Sequence, residues 1–421
     1  MKLMTTTAAL AFLAISAPAA AQYGPQPGQP QTVNEPAPKG QATAKTTEGK
    51  QIKLSGKAQK AVIDLQKAVN ANDVASIPAK LAAAQAVAST PDDKYAIGQL
   101  QLKAALAAKD NAAMAVAIEA IATSGFVDAA TSSKLYASLG TTLYNDKQYA
   151  QAGTAFQKAS KIDPNNAEVY TLLGEAQFAQ GQKAEAANAF QRALQLQSAA
   201  GAKPEEKLLK RAVSVAYEAR SPLAMDLARQ WAAAYPSAES WRNSIAIYRN
   251  MAHPDVEGTL DLLRLVQLTG GLNSGEYALY AEAAADQSNF TEAQAIIDAG
   301  IAAKVVDPAS ARFRDIINGL KGKPKATAAD LEAAAKMSPS PLNLLRIGDR
   351  YYGMGDYAKA AEIYRQVMTQ PGADTNIANL HLGMALTRAG DKAGATAAFK
   401  AVTGDRAEIA KFWLAYLQQK A

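Results

Sequence analysis

Few side chains in this sequence could carry covalent or metal chemistry. There are two His and no Cys. His253 and His381 stand far apart, and neither has a second His one helical turn away. The paired-His zinc motif is therefore missing, and thiolate zinc sites are impossible. Each His reads as an ordinary surface or groove residue. Adjacent carboxylates occur at Asp92-Asp93 and Glu205-Glu206. Both pairs fall where helices are expected to begin, a place where the helix dipole favours negative charge. Gly353-Met354-Gly355 has two glycines of a nucleotide loop, but it follows a helical pattern and lacks the third Gly at the needed distance. These residues predict no catalytic group, no cofactor and no metal. A carboxylate pair assembled from distant segments remains the basis of an enzyme alternative.

The elements that must position these residues read as helices. Ala dominates stretches such as Leu81 to Ala88 and Tyr280 to Ala285, and Ala loses least on entering a helix. With 49% hydrophobic residues the chain has enough apolar surface for a large core or many stacked units. Its net charge of +6 arises from 44 basic and 38 acidic residues with no long single-sign run. Phosphate affinity requires clustered positive charge, so a nucleic-acid partner is not expected. The strongest basic cluster, Lys321, Lys323 and Lys325, surrounds Gly322 and Pro324 and reads as a solvated helix connection.

The N-terminus carries an address. Lys2 precedes an apolar run from Ala8 to Ile15 and a small-residue terminus at Ala19-Ala20-Ala21, the order of a secretory signal peptide cleaved after Ala21. The run is short of the roughly 20 apolar residues that span a bilayer, and no later segment reaches that length without charges. No integral membrane segment is expected after cleavage. The periplasm is the expected compartment, with secretion as the alternative. Residues 22–50 are rich in Pro and Gln and nearly devoid of large apolar side chains, so they predict a disordered leader.

Two adjacent windows, Ser133–Asn166 and Ala167–Ala200, align without a gap at a period of 34 residues. Tyr136, Leu139, Gly140, Ala152, Phe156 and Ala159 recur as Tyr170, Leu173, Gly174, Ala186, Phe190 and Ala193, and Pro164 closes the first window. Near the C-terminus the pattern returns in Leu344, Ile347, Gly348, Tyr351, Ala360 and Tyr364, then in Leu382, Gly383, Leu386, Ala395 and Phe399. This pattern resembles the tetratricopeptide repeat. Small residues at Gly140 and Ala152 allow close approach of helices, and Phe156 and Phe190 fill the space between them.

The resemblance implies an all-α solenoid, a superhelical array of helix pairs. Its expected organisation is degenerate Ala-rich repeats over 51–132, two well-matched motifs over 133–200, divergent pairs over 201–340, two motifs over 341–404 and a capping helix over 405–421. About ten pairs result. The divergent part departs at Arg211, where Leu is expected. In the last segment Ile409, Phe412, Trp413, Tyr416 and Leu417 make one apolar stripe, suited to covering the open end of an array.

The resemblance also implies a function. In tetratricopeptide arrays the first helix of each pair lines a concave groove, which binds proteins. Carried onto this chain, the twelfth positions are Tyr144, Phe178 and Tyr352, and the ninth are Thr141, Glu175 and Asp349. The fifth positions, Ala137, Thr171, Leu345 and Leu380, lack the clamp that holds a C-terminal carboxylate. The expected partner is a protein or peptide segment with apolar anchors and a basic residue, bound by a non-catalytic scaffold of the bacterial cell envelope. A glycan- or peptidoglycan-binding module and a repeat-bearing enzyme are the alternatives.

Overall fold

The computed structural model describes residues 51–419, so the segments expected to be a signal peptide and a leader lie outside the described residues. Those residues form twenty-one α-helices and one short 3₁₀ turn at Gly404–Arg406. In chain order the first six are α1 (Gly56–Asn70), α2 (Ile77–Val87), α3 (Pro91–Ala108), α4 (Asn111–Ala122), α5 (Ala129–Asn145) and α6 (Tyr149–Ile162). The next eight are α7 (Ala167–Ala179), α8 (Lys183–Ala199), α9 (Glu206–Glu218), α10 (Leu223–Ala234), α11 (Ala238–Ala252), α12 (Val256–Leu268), α13 (Ser274–Asp286) and α14 (Phe290–Ala302). The rest are α15 (Ala311–Leu320), α16 (Ala328–Met337), α17 (Pro341–Gly353), α18 (Tyr357–Met368), α19 (Thr375–Ala389), α20 (Lys392–Lys400) and α21 (Ala407–Gln419). Ten pairs and one closing helix result, and within each unit most neighbouring helices pack on one another, as in an α-solenoid. The chain divides into two compact units, one ending at Ala176 and the other beginning at Gln177.

In the first unit, helix starts are set by short polar caps. Asp110 and Asp128 accept from the backbone N–H groups of Ala113 and Thr131. The adjacent carboxylates Asp92 and Asp93 stand in the first turn of α3, and Asp93 is much more than a dipole partner. It forms a capping box with Thr90 and also accepts from Ser55 N at 2.9 Å, Ser55 Oγ at 2.8 Å and Ser89 N at 3.0 Å. One buried carboxylate thus ties the start of α1 to the start of α3, and these bonds hold it well below the usual carboxylate range although burial opposes the charge. The repeat's small residues have the expected use. A Cβ on Gly140 would meet the Phe156 ring at 2.6 Å, so α5 and α6 can pack this closely only because residue 140 has no side chain.

The second unit repeats that device. Tyr364 fills the space a Cβ on Gly348 would take, and Phe399 stands 2.5 Å from a Cβ built on Gly383. Its last helix does more than cover an open end. Trp413 stacks on Phe399 of α20 with ring centroids 5.8 Å apart, while Phe412 and Tyr416 meet Tyr248 and Trp241 of α11 edge-on at 5.5 and 6.1 Å. Gln419 Nε2 donates to the Ala232 carbonyl at the end of α10, and Arg406, just before α21, pairs with Asp255 and Glu257 at the start of α12. The apolar stripe of α21 is therefore shared between the end of the array and helices far earlier in the chain.

Candidate functional site

The sequence-derived groove positions in the first unit behave as an open helix face. Thr141 is half-buried, and its hydroxyl donates to the Ala137 carbonyl one turn back. Tyr144 is half-buried at the end of α5 and meets Tyr149, the first residue of α6, edge-on at 5.2 Å. Glu175, on α7, is half-buried.

In the second unit the equivalent positions have been drawn inward. Tyr352 is only 5% exposed and meets Tyr357 edge-on at 5.1 Å, with the Arg264 guanidinium 4.6 Å from its ring centroid. Asp349 is 21% exposed and accepts from Tyr364 Oη at 2.7 Å, while His381 Nδ1 lies 2.9 Å away. Neither residue offers a partner the surface that its place in the repeat implies. His381 also departs from the expectation of an ordinary surface or groove residue, because it is 1% exposed. Its Nε2 lies 3.3 Å from Asp261, a carboxylate that is itself fully buried.

These groups belong to one buried ionic network. Arg264 binds Glu292 through two parallel bonds of 2.8 and 2.7 Å and reaches Asp261 at 3.1 Å. Tyr280 donates to Glu292 at 2.9 Å, and Asn289 donates both to Glu292 and to the Asp349 carbonyl. Burial disfavours the Arg264 and His381 charges, but the surrounding carboxylates outweigh it and raise both pKa values well above their usual ranges. Asp349 is depressed, because His381 and Arg264 overcome its burial. Asp261, Arg264 and Glu292 were not singled out by sequence reasoning. A signal existed: Asp261 and Arg264, three apart, interrupt the otherwise apolar Leu260–Leu265 run of α12, and a charge on a buried helix requires a partner.

An open face remains on α9–α11. A shallow cleft of about 450 Å³ lies between α9 and α11 with Trp231 of α10 beside it. Lys210, Val213 and Tyr217 supply one wall, and Asn243, Ile247 and Asn250 the other. Tyr217 is an exposed aromatic, whereas Trp231 is held by its Nε1 donating to Glu206 at 3.1 Å. The departure at Arg211 has a physical reason, since its guanidinium lies 4.1 Å from the centroid of Phe178, another of the groove positions. The cleft presents apolar and aromatic surface rimmed by an ammonium and two amides, which suits an apolar anchor beside a carbonyl or carboxylate.

Stacked helix pairs with glycine–aromatic contacts at a fixed offset define a helical-repeat solenoid, a class that presents a continuous face for recognition. Family models agree: one described as TPR repeat matches residues 140–181, and two described as Tetratricopeptide repeat match residues 167–199 and 345–416. The chain carries tetratricopeptide repeats over these residues. No curated protein matches it in sequence. Among solved structures, it is similar to pilF of Pseudomonas aeruginosa at 14% identity, covering 62% of this chain and 97% of that one, with a TM-score of 0.24. It is also similar to a tetratricopeptide repeat protein from Parabacteroides merdae at 12% identity, with 76% and 98% covered and a TM-score of 0.26. The P58(IPK) TPR domain matches at 13% identity over 86% and 98%, with a TM-score of 0.22. At these scores the likenesses carry no argument, and the fold rests on the helix pairing itself. Such repeats generally mediate protein–protein interaction and typically form non-enzymatic scaffolds. Among the described residues no helix is long and apolar enough to cross a membrane.

Proposed function

We propose that this chain is an exported, non-catalytic adaptor of the bacterial cell envelope that holds a segment of a partner protein against the first helices of its pairs. The observation that supports this reading is the open cleft on α9–α11, where exposed Tyr217 stands beside Lys210, Asn243 and Asn250. Residues of that kind, an aromatic anchor with polar groups around it, dominate binding at protein interfaces. In the first unit, half-buried Tyr144 and Thr141 stand at equivalent positions of their own repeat. Buried Tyr352 and Asp349, whose carboxylate is engaged by Tyr364 and His381, take no part. Aromatic and amide groups in one cleft also favour a second reading, a module for glycan or peptidoglycan.

A photo-crosslinking amino acid placed singly at Tyr217, Tyr144 or the exposed Asn188 of α8 separates these readings in living Gram-negative cells. A discrete protein adduct from positions 217 and 144, and none from 188, is the expected outcome. Equal adducts from all three positions, or none from the first two, would sink the adaptor reading. Co-sedimentation with purified peptidoglycan that Tyr217→Ala abolishes would establish the second reading instead.

A further inference from the structure

We propose that Glu257, Asp349 and His381 form a binding site for a divalent first-row transition-metal ion, a clasp joining α12, α17 and α19 within the second unit. One donor atom from each residue lies within 4.8 Å of the other two. A single imidazole with two carboxylates is a ligand set suited to Mn²⁺, Fe²⁺, Co²⁺ or Zn²⁺.

The geometry at His381 separates this site from an ordinary ion pair. Nδ1 is buried and stands 2.9 Å from Asp349 Oδ1, yet the contact does not meet hydrogen-bond geometry. A contact that is short but misdirected is what two ligands of one ion show. With metal–ligand bonds of about 2.1 Å, neighbouring ligands sit roughly 3 Å apart and aim their lone pairs at the ion, away from each other. The opposite nitrogen, Nε2, faces Asp261 at 3.3 Å, the carboxylate support that metal-binding imidazoles almost always have.

Charge points the same way. The network and its rim hold five carboxylates, Asp255, Glu257, Asp261, Glu292 and Asp349, against two guanidinium groups, Arg264 and Arg406. With a neutral imidazole the balance is three negative charges, and a divalent ion reduces it to one. Arg406 occupies only Oε2 of Glu257, at 2.9 Å, and the carboxylate has a second oxygen. Glu257 and Asp349 are 23% and 21% exposed, so solvent reaches the carboxylate side of the site while His381 closes its floor. Without an ion, the same residues would hold His381 as an imidazolium between two aspartates.

The test is metal uptake by the full chain, stripped with a chelator and dialysed against Zn²⁺ or Co²⁺. One equivalent is expected, with a visible Co²⁺ absorption band and a rise in melting temperature on loading. Glu257→Gln and Asp349→Asn should each weaken Zn²⁺ binding at least tenfold, and His253→Ala should leave it unchanged. Circular dichroism checks that each variant folds. Should Asp349→Asn fail to fold, partly exposed Glu257 decides alone, and full affinity in Glu257→Gln overturns the site. Absence of stoichiometric uptake, or its loss in His253→Ala, overturns it as well and leaves the imidazolium arrangement.

Discussion

Helices α5 and α17 carry the same repeat motif, and side by side they show where its authority ends. In both, a glycine admits an aromatic ring of the next helix, Phe156 at Gly140 and Tyr364 at Gly348. In both, the tyrosine twelve positions into the motif meets the tyrosine that opens the next helix edge-on, at 5.2 Å for Tyr144–Tyr149 and 5.1 Å for Tyr352–Tyr357. Local geometry is thus reproduced almost to the ångström. Yet Tyr144 stays half-buried beside solvent while Tyr352 is sealed beneath Arg264. The difference comes from α12, whose Arg264 and Asp261 gather Glu292, Asp349 and His381 around them. A repeat fixes how its own helices meet, and the rest of the unit fixes whether its outward face remains available.

The comparison is broken most forcefully at Arg264. Arg264→Ala leaves Glu292 and Asp261 buried without their cation, and such a loss costs about 3–5 kcal/mol. Chemical denaturation should show it, and a cost under about 1 kcal/mol would mean that the network does not hold the unit together. The two tyrosines give the next contrast. Tyr352→Ala empties a closed space and should cost about 3 kcal/mol, whereas Tyr144→Ala, at a half-open site, should cost less than half as much. Equal losses would erase the distinction between the two faces.

Where the regions are alike, the expectation is equal damage. Gly140→Leu and Gly348→Leu each force a side chain into an occupied ring and should cost roughly 1–3 kcal/mol by overpacking. Thermal unfolding that spares either one would put that repeat out of register. A pH-dependent effect is expected at Asp93, where the first unit depends on a carboxylate of its own. Asp93→Ala removes a cap and its extra bonds, for a loss of ~2 kcal/mol. Since the folded-state pKa of Asp93 lies below the unfolded value near 3.9, its contribution is present above that value and disappears as the pH falls through the folded one. Acid titration of stability should accordingly be shallower in Asp93→Ala than in the unaltered chain below about pH 5. An unchanged acid slope would show that the carboxylate is not the linked group.

Several features were legible without coordinates because they are local. The 34-residue period, the Gly–aromatic offsets and the ten pairs with a closing helix follow from steric rules that act within one repeat and its neighbour. Charges such as Asp92-Asp93 at a helix start are likewise near-neighbour facts, although the reach of Asp93 back to Ser55 was not visible. His381 and Asp349 looked ordinary because each has its charged partners on other helices, Asp261 in α12 for the first and His381 in α19 for the second.

By itself, then, the sequence determined that this protein stacks helix pairs, since period and patterning are written in consecutive residues. The tertiary structure alone decided which groove positions stay open, where α21 packs, and that a His, an Arg and three carboxylates share one buried network. Burial of a charge depends on what a distant helix brings to it, and contacts between residues as far apart as Asp261 and His381 leave no period in the chain.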